Sequence, residues 1–146
     1  MRYAEYAGGV APGGGGGIVA DGLESQALNY LGGFAGSQTN VAMLNLYGED
    51  FIMPGAGSVT KIILRSTAAR TAGELSAKVT VNGTGVVPTD LDVKLDGTTT
   101  NDAIKSAVAG TITFVQGDKL GIDLTSTLAW APNDSDIQAT IYYILD

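Results

Sequence analysis

The amino-acid sequence predicts an all-β fold: an antiparallel β-sandwich or jelly roll of about seven or eight strands behind an irregular, glycine-rich N-terminal arm. Three observations predict it. Apolar and polar residues alternate with period two from residue 41 onward, turn-forming dipeptides interrupt that alternation at short spacing, and the 21 glycines are concentrated before residue 40. With 146 residues, 45% of them hydrophobic and 16% charged, the chain has the length of one domain and too little charge to stay unfolded.

Residues 1–40 carry GGVAPGGGGGIVADG and, later, LGGFAGSQ, where glycine makes any regular element expensive to order. This predicts a division into an arm, 1–40, and a sandwich, 41–146. Inside the arm GLESQALNYL places Leu23, Ala27, Leu28 and Leu31 at helical spacing, enough for one or two helical turns. The arm also holds apolar side chains that a solvated spacer does not need. Tyr3, Tyr6, Ile18, Leu23, Tyr30 and Phe34 are therefore the candidate partner-binding residues.

The strands follow in order. Val41 to Tyr47 and Val59 to Ser66 are rich in β-prone residues. Glu74 to Val81 alternates most cleanly, with Leu75, Ala77, Val79 and Val81 on one side and Glu74, Ser76, Lys78 and Thr80 on the other. Asn82-Gly83 is the dipeptide of a type I′ hairpin turn, so a partner strand is expected from Gly85 to Val87. Leu91, Val93 and Leu95 alternate up to a turn at Asp96-Gly97. Ile112 and Phe114 precede a turn at Gln116-Gly117-Asp118, and Leu120, Ile122 and Leu124 resume the pattern. Ile137 to Leu145 closes it. Two-faced strands imply antiparallel pairing with one wet face. Val59 to Leu64 and Tyr142, Tyr143 and Ile144 break the alternation, which marks either doubly covered central strands or an outer face used as an interface.

Charge and residue types narrow the chemistry. A net charge of −7 with eight Lys and Arg argues against nucleic acid and anionic membrane surfaces as partners. There is neither an apolar run of about 18 residues nor a basic flank followed by a hydrophobic stretch at the N-terminus. Without His or Cys, a Ser-His-Asp or Cys-His nucleophile cannot be built and zinc loses its main ligands. Asp90, Asp92, Asp96, Asp102, Asp118 and Asp123 supply carboxylates for glycoside chemistry, but those at strand ends sit in turn contexts that call for Asp anyway. The run Gly13 to Gly17 lacks the Lys-Ser/Thr of a phosphate loop, and Asn133 to Asp136 lacks the spacing of an EF-hand. No catalytic residue, cofactor or metal is expected. Trp130 between Ala129 and Ala131-Pro132 is either a sugar-stacking platform or a core plug.

Two stretches, ILRSTAARTAGELSAKVTVNGTGV and DKLGIDLTSTLAWAPNDSDIQATIYY, resemble a β-sandwich module recurrent in virion proteins of tailed bacteriophages. The matching positions are the ARTAG turn (Ala69 to Gly73), Asn82-Gly83, the Gly117 to Gly121 step and Trp130 to Ile137, and the likeness covers roughly residues 58–145. The resemblance implies a non-catalytic virion structural protein. Fibre proteins of this type are longer and carry several modules, so a single module with an apolar-studded arm suggests a capsid decoration, or cement, protein on the outer surface of the particle. Its arm would dock on the major capsid protein or another virion protein, and a homo-oligomer, a trimer by analogy, is expected. The alternative is a tail-fibre or spike module that binds host surface glycan through Trp130, Tyr142 or Tyr143.

Overall fold

Strands form where the alternation supplies an apolar face, and they end where a turn residue takes over. The computed structural model describes residues 23–44, 51–85, 92–98 and 100–146; among these it contains eleven strand segments and no helix. They are β1 (Leu23–Tyr30), β2 (Val41–Met43), β3 (Phe51–Ile52), β4 (Gly57–Ser66), β5 (Leu75–Val81), β6 (Thr84–Gly85), β7 (Val93–Leu95), β8 (Asp102–Ser106), β9 (Ile112–Phe114), β10 (Lys119–Ser126) and β11 (Ile137–Leu145).

All pairings are antiparallel and make two sheets, as the two-faced strands predict. One runs β1–β11–β4–β8, the other β2–β10–β5–β6. The remaining short segments prolong edge positions. β4 already has β11 along one side, so β9, paired with Gly57–Val59, continues β8 along the other. By the same reasoning β3 continues β2 along β10, and β7 lies with β6 along β5. Eleven segments thus fill eight strand positions, ordered 1-8-3-6 and 2-7-4-5 along the chain. Position 1 pairs with 8, 2 with 7, 3 with 6 and 4 with 5, which describes one long antiparallel ribbon folded over into two layers: a jelly roll.

The core lies between the layers. Ile62, Leu64, Ile137, Ala139 and Ile141 from one sheet face Leu75, Val79, Leu120, Ile122 and Leu124 from the other, all buried. Asn82 and Gly83 both have positive φ, 55° and 79°, as the predicted type I′ turn requires. Val86 and Val87, expected to extend β6, Leu91, expected to extend β7, and residues 45–47, expected to extend β2, lie outside the described residues, as does Asp90.

Leu23–Tyr30 is not helical. All eight of its residues pair with β11, from Leu23 opposite Ile144 to Tyr30 opposite Ile137, and Leu28 is buried in the core. The helical spacing included Leu31, which is 64% exposed and takes no part in the core. The ladder with β11 satisfies the backbone and outweighs a weak local helical preference. Residues 23–30, which composition placed in the arm, are thus a strand of the sandwich.

Candidate functional site

The strand directions sort the loops into two ends. Segments 31–40, 67–74, 96–101 and 127–136 gather at one end, called here the cap. Its backbone groups are consumed between loops: the Thr71 and Ala72 amides donate to the Ala131 carbonyl, the Ala131 amide to Ala72, the Thr127 amide to Glu74, and the Arg70 amide to Thr100. The Asp136 carboxylate accepts from the Gly32 amide at 2.8 Å, and the Ser126 hydroxyl donates to the Ala35 carbonyl at 2.6 Å. Gly73 has φ +68°, and a Cβ there would overlap the Trp130 backbone nitrogen, so only glycine fits the point where the ARTAG turn meets the Trp130 loop.

Trp130 closes the cap. Its indole is 4% exposed, and its Nε1–H donates to the Phe34 carbonyl at 2.9 Å. Phe34 is fully buried, with the Tyr30 ring edge-on at 4.9 Å. Trp130 is thus a plug and offers no face to a sugar ring; Phe34 offers none to a partner. Tyr143 is likewise buried, between Phe51 and Phe114 at 5.8 Å each, and burial followed by the Glu24 charge pushes its phenol pKa up. Of the three aromatics read as glycan platforms only Tyr142 is partly exposed, and Lys61 Nζ lies 4.8 Å from its ring centroid.

At the opposite end the chain enters the sheet at Leu23 beside Ile144, while the Asp146 amide donates to Ala56. Tyr3, Tyr6 and Ile18 lie outside the described residues. Leu23 and Tyr30 are partly exposed at the two ends of β1.

The outer faces of the two sheets differ in chemistry. On the β2–β10–β5–β6 sheet the outward residues are Ala42, Ser76, Lys78, Thr80, Asp123 and Thr125, mostly polar. The outer side of the β1–β11–β4–β8 sheet is mixed: Leu23, Ala27, Tyr142, Ile144, Ile63 and Ile104, the last 61% exposed, stand among Ser25, Asn29, Gln138, Thr140 and Ser106. Lys61, Tyr142 and the Arg65–Asp102 ion pair share that surface. The broken alternation of Val59 to Leu64 and Tyr142 to Ile144 thus marks strands central in their sheet, whose outer side carries Ile63, Tyr142 and Ile144 among polar residues.

The carboxylates are occupied locally. Asp118 accepts from the Val115 amide and the Asn82 side chain, each at 2.8 Å, and these two bonds hold its carboxyl below the usual aspartate range. Asp96 caps the Thr98 amide and hydroxyl, as its turn context predicts. Burial raises the pKa of Asp92 and Asp123 against the pull of nearby lysines. A groove of about 330 Å³ between β7 and β8 is lined by Asp92, Asp96 and Asp102 together with Lys94 and Lys105. Among the described residues no three carboxylates converge as a metal-holding group.

No protein-family model and no curated protein sequence matches the chain. Solved structures do align with it, two of them from phage capsids. A chain of the acidic stable capsid structure of Helicobacter pylori bacteriophage KHP30 matches at 15% identity and a TM-score of 0.49, over 84% of this chain and 87% of that one. A chain of the cyanophage Pam1 capsid asymmetric unit matches at 14% identity and the same TM-score, over 100% of this chain and 98% of that one. At these identities the likeness is one of chain path alone.

The arrangement of the described residues has a cap tied together by its own hydrogen bonds, one mostly polar sheet face, one mixed sheet face, and Leu23, the first described residue, at the end opposite the cap. Sequence reasoning did not place Leu23, Ile63, Ile104 and Ile144 on one outer face, because that becomes visible only when the register of four strands is known. Its one signal in the sequence was the broken alternation.

Proposed function

We propose that this chain is a non-catalytic structural protein of a bacteriophage virion, a capsid decoration protein on the outer surface of the particle, attached to the major capsid lattice through the segment before Leu23. The observation that supports this reading best is the use made of the phage-like motifs. ARTAG and WAPNDSDI build the cap, where Gly73 abuts Trp130 and Trp130 bonds Phe34, so they stabilise a module and hold no ligand. Attachment falls in this reading to the segment with Tyr3 and Tyr6, which precedes Leu23 at the end opposite the cap. Ordering a glycine-rich segment on a partner costs conformational entropy, which its aromatic side chains offset by burial. Sheet edges such as β1, which among the described residues is bridged on its outer side only by Asn29 to Leu44, are covered in this reading by capsid contacts or by neighbouring copies in a closed oligomer, a trimer by analogy.

The test uses the phage that encodes the chain. Antibody to the sandwich should label the head of intact virions, and the full chain should co-sediment with heads that lack it, whereas a chain starting at residue 23 should stay in the supernatant. Label confined to the tail, or equal sedimentation of both chains, would overturn the proposal.

A further inference from the structure

Among the described residues β8 pairs with β4 alone, so it is an edge strand. The bonds at its two ends fix which of its backbone groups are used. The Ala107 amide donates to the Thr60 carbonyl and the Ser66 amide to Asn101, and hydrogen-bonded and non-hydrogen-bonded pairs alternate along an antiparallel ladder. Ala103 and Lys105 therefore turn their amides and carbonyls to β4, whereas Asp102, Ile104 and Ser106 turn theirs to the open edge. The side chains of these three share the outer face of the sheet, with Ile104 61% exposed at the centre. Such an edge is a template for a further strand.

We propose that this edge binds a second copy of itself, β8 against β8 in antiparallel register about a two-fold axis at Ile104. The order of residues in DAIKS decides the occupant. A two-fold axis perpendicular to the sheet keeps every residue on its own face, so Ile104 meets Ile104 of the second copy and Asp102 meets Ser106. These are the residues whose backbone groups β4 leaves unused, and the register pairs each of their amides with a carbonyl. The pairings with β4 extend the rows. Ile63 stands opposite Ile104, so the middle row reads Ile63, Ile104, then Ile104 and Ile63 of the second copy, an apolar seam across the junction. The row on either side reads Lys61, Ser106, then Asp102 and Arg65 of the second copy. Asp102 keeps its own Arg65 on one side and gains Lys61 beyond Ser106 on the other. On the inner side Lys105 meets Ala103 of the second copy, at the groove lined by Asp92 and Asp96, where the small side chain admits the lysine stem and the carboxylates match its charge. Slipped registers lose this match. Moving the axis to Lys105 sets two lysines face to face, and moving it to Ala103 sets Asp102 against Ile104.

The contact joins copies in pairs, whereas the trimer expected by analogy would use other surfaces. It rests on β8 and its neighbours and on no capsid contact, so its failure and the failure of the decoration reading are separable.

The chain has no cysteine, so single substitutions report the register. Directly opposite residues of this kind have Cα atoms about 5.5 Å apart, within disulfide reach. Full-length Ile104→Cys should therefore oxidise to a disulfide-linked dimer at least about tenfold faster than Val108→Cys, which is 79% exposed but lies off the axis. Equal rates would overturn the proposal. In sedimentation equilibrium the apparent mass of the full-length protein should fall by half in two variants. Ile104→Pro removes an edge donor that β4 does not use, and Ile104→Lys sets two charges face to face. Fluorescence of the buried Trp130 checks that each variant is folded. Unchanged mass in either folded variant, or a wild-type protein that stays monomeric up to about 1 mM, would overturn the proposal.

Discussion

Gly73 shows how a single position commits two loops. Its φ of +68° is costly for any residue with a Cβ, and the added carbon would collide with the Trp130 backbone nitrogen. Gly73→Ala should cost about 2 kcal/mol or more and lower Tm by about 5–10 °C, seen by calorimetry. A change under about one degree would mean that the cap tolerates separation of its loops. Asp118 acts through its charge. Its folded pKa lies below the unfolded value, so its contribution is fully present above about pH 4 and is lost as the pH falls through the lower folded value. Half-buried Asp92 and Asp123 act in the opposite sense, since their raised pKa values mean that protonation relieves a cost of folding. Asp118→Asn should therefore flatten the fall of Tm between about pH 5 and pH 2 relative to the wild type. Parallel curves for the two proteins would show that the Val115 and Asn82 bonds do not favour the charged form.

β1 is the element on which sequence and structure part. Its residues LESQALNY carry a weak helical pattern and no clean alternation, because an edge strand needs only one deep side chain, Leu28, and lets Glu24, Ser25 and Ala27 face water. β8, DAIKS, is hidden for the same reason, with Ala103 as its one buried residue. The central strands were legible because both neighbours and the core constrain them: β5 and β10 alternate throughout, and Asn82-Gly83 declares the turn between β5 and β6. The roles of the aromatics were not legible. Whether Trp130 plugs or protrudes depends on Phe34, nearly a hundred positions away. Truncation tests the boundary. Removing residues 1–22 should shift Tm by only a few degrees, whereas removing 1–30 strips one edge of β11 and the Leu28 contact, which alone is worth about 2–4 kcal/mol, and should abolish cooperative unfolding. Retention of a cooperative transition by the shorter chain would place β1 outside the fold's essential set.

At the scale of the molecule, the folded ribbon makes almost every strand pair distant in sequence: Leu23 pairs with Ile144, and Gly57 with both Leu145 and Phe114. Loop closure must precede the reward of pairing, so refolding should take milliseconds to seconds. The single tryptophan, Trp130, is buried in the cap and reports it directly in stopped-flow fluorescence. Completion within microseconds would contradict the topology.

The place of β11 between β1 and β4 also sets an order of events during synthesis. β11 follows every other described strand in the chain, yet it carries the hydrogen bonds that join β1 to β4. On the ribosome, β2, β5 and β10 can assemble their sheet while β1 and β4 still wait for the strand that links them. The outer face of the sheet built from β1, β11, β4 and β8 is therefore the last surface of the described sandwich to be made, and it comes into being only after β11 has left the translation machinery.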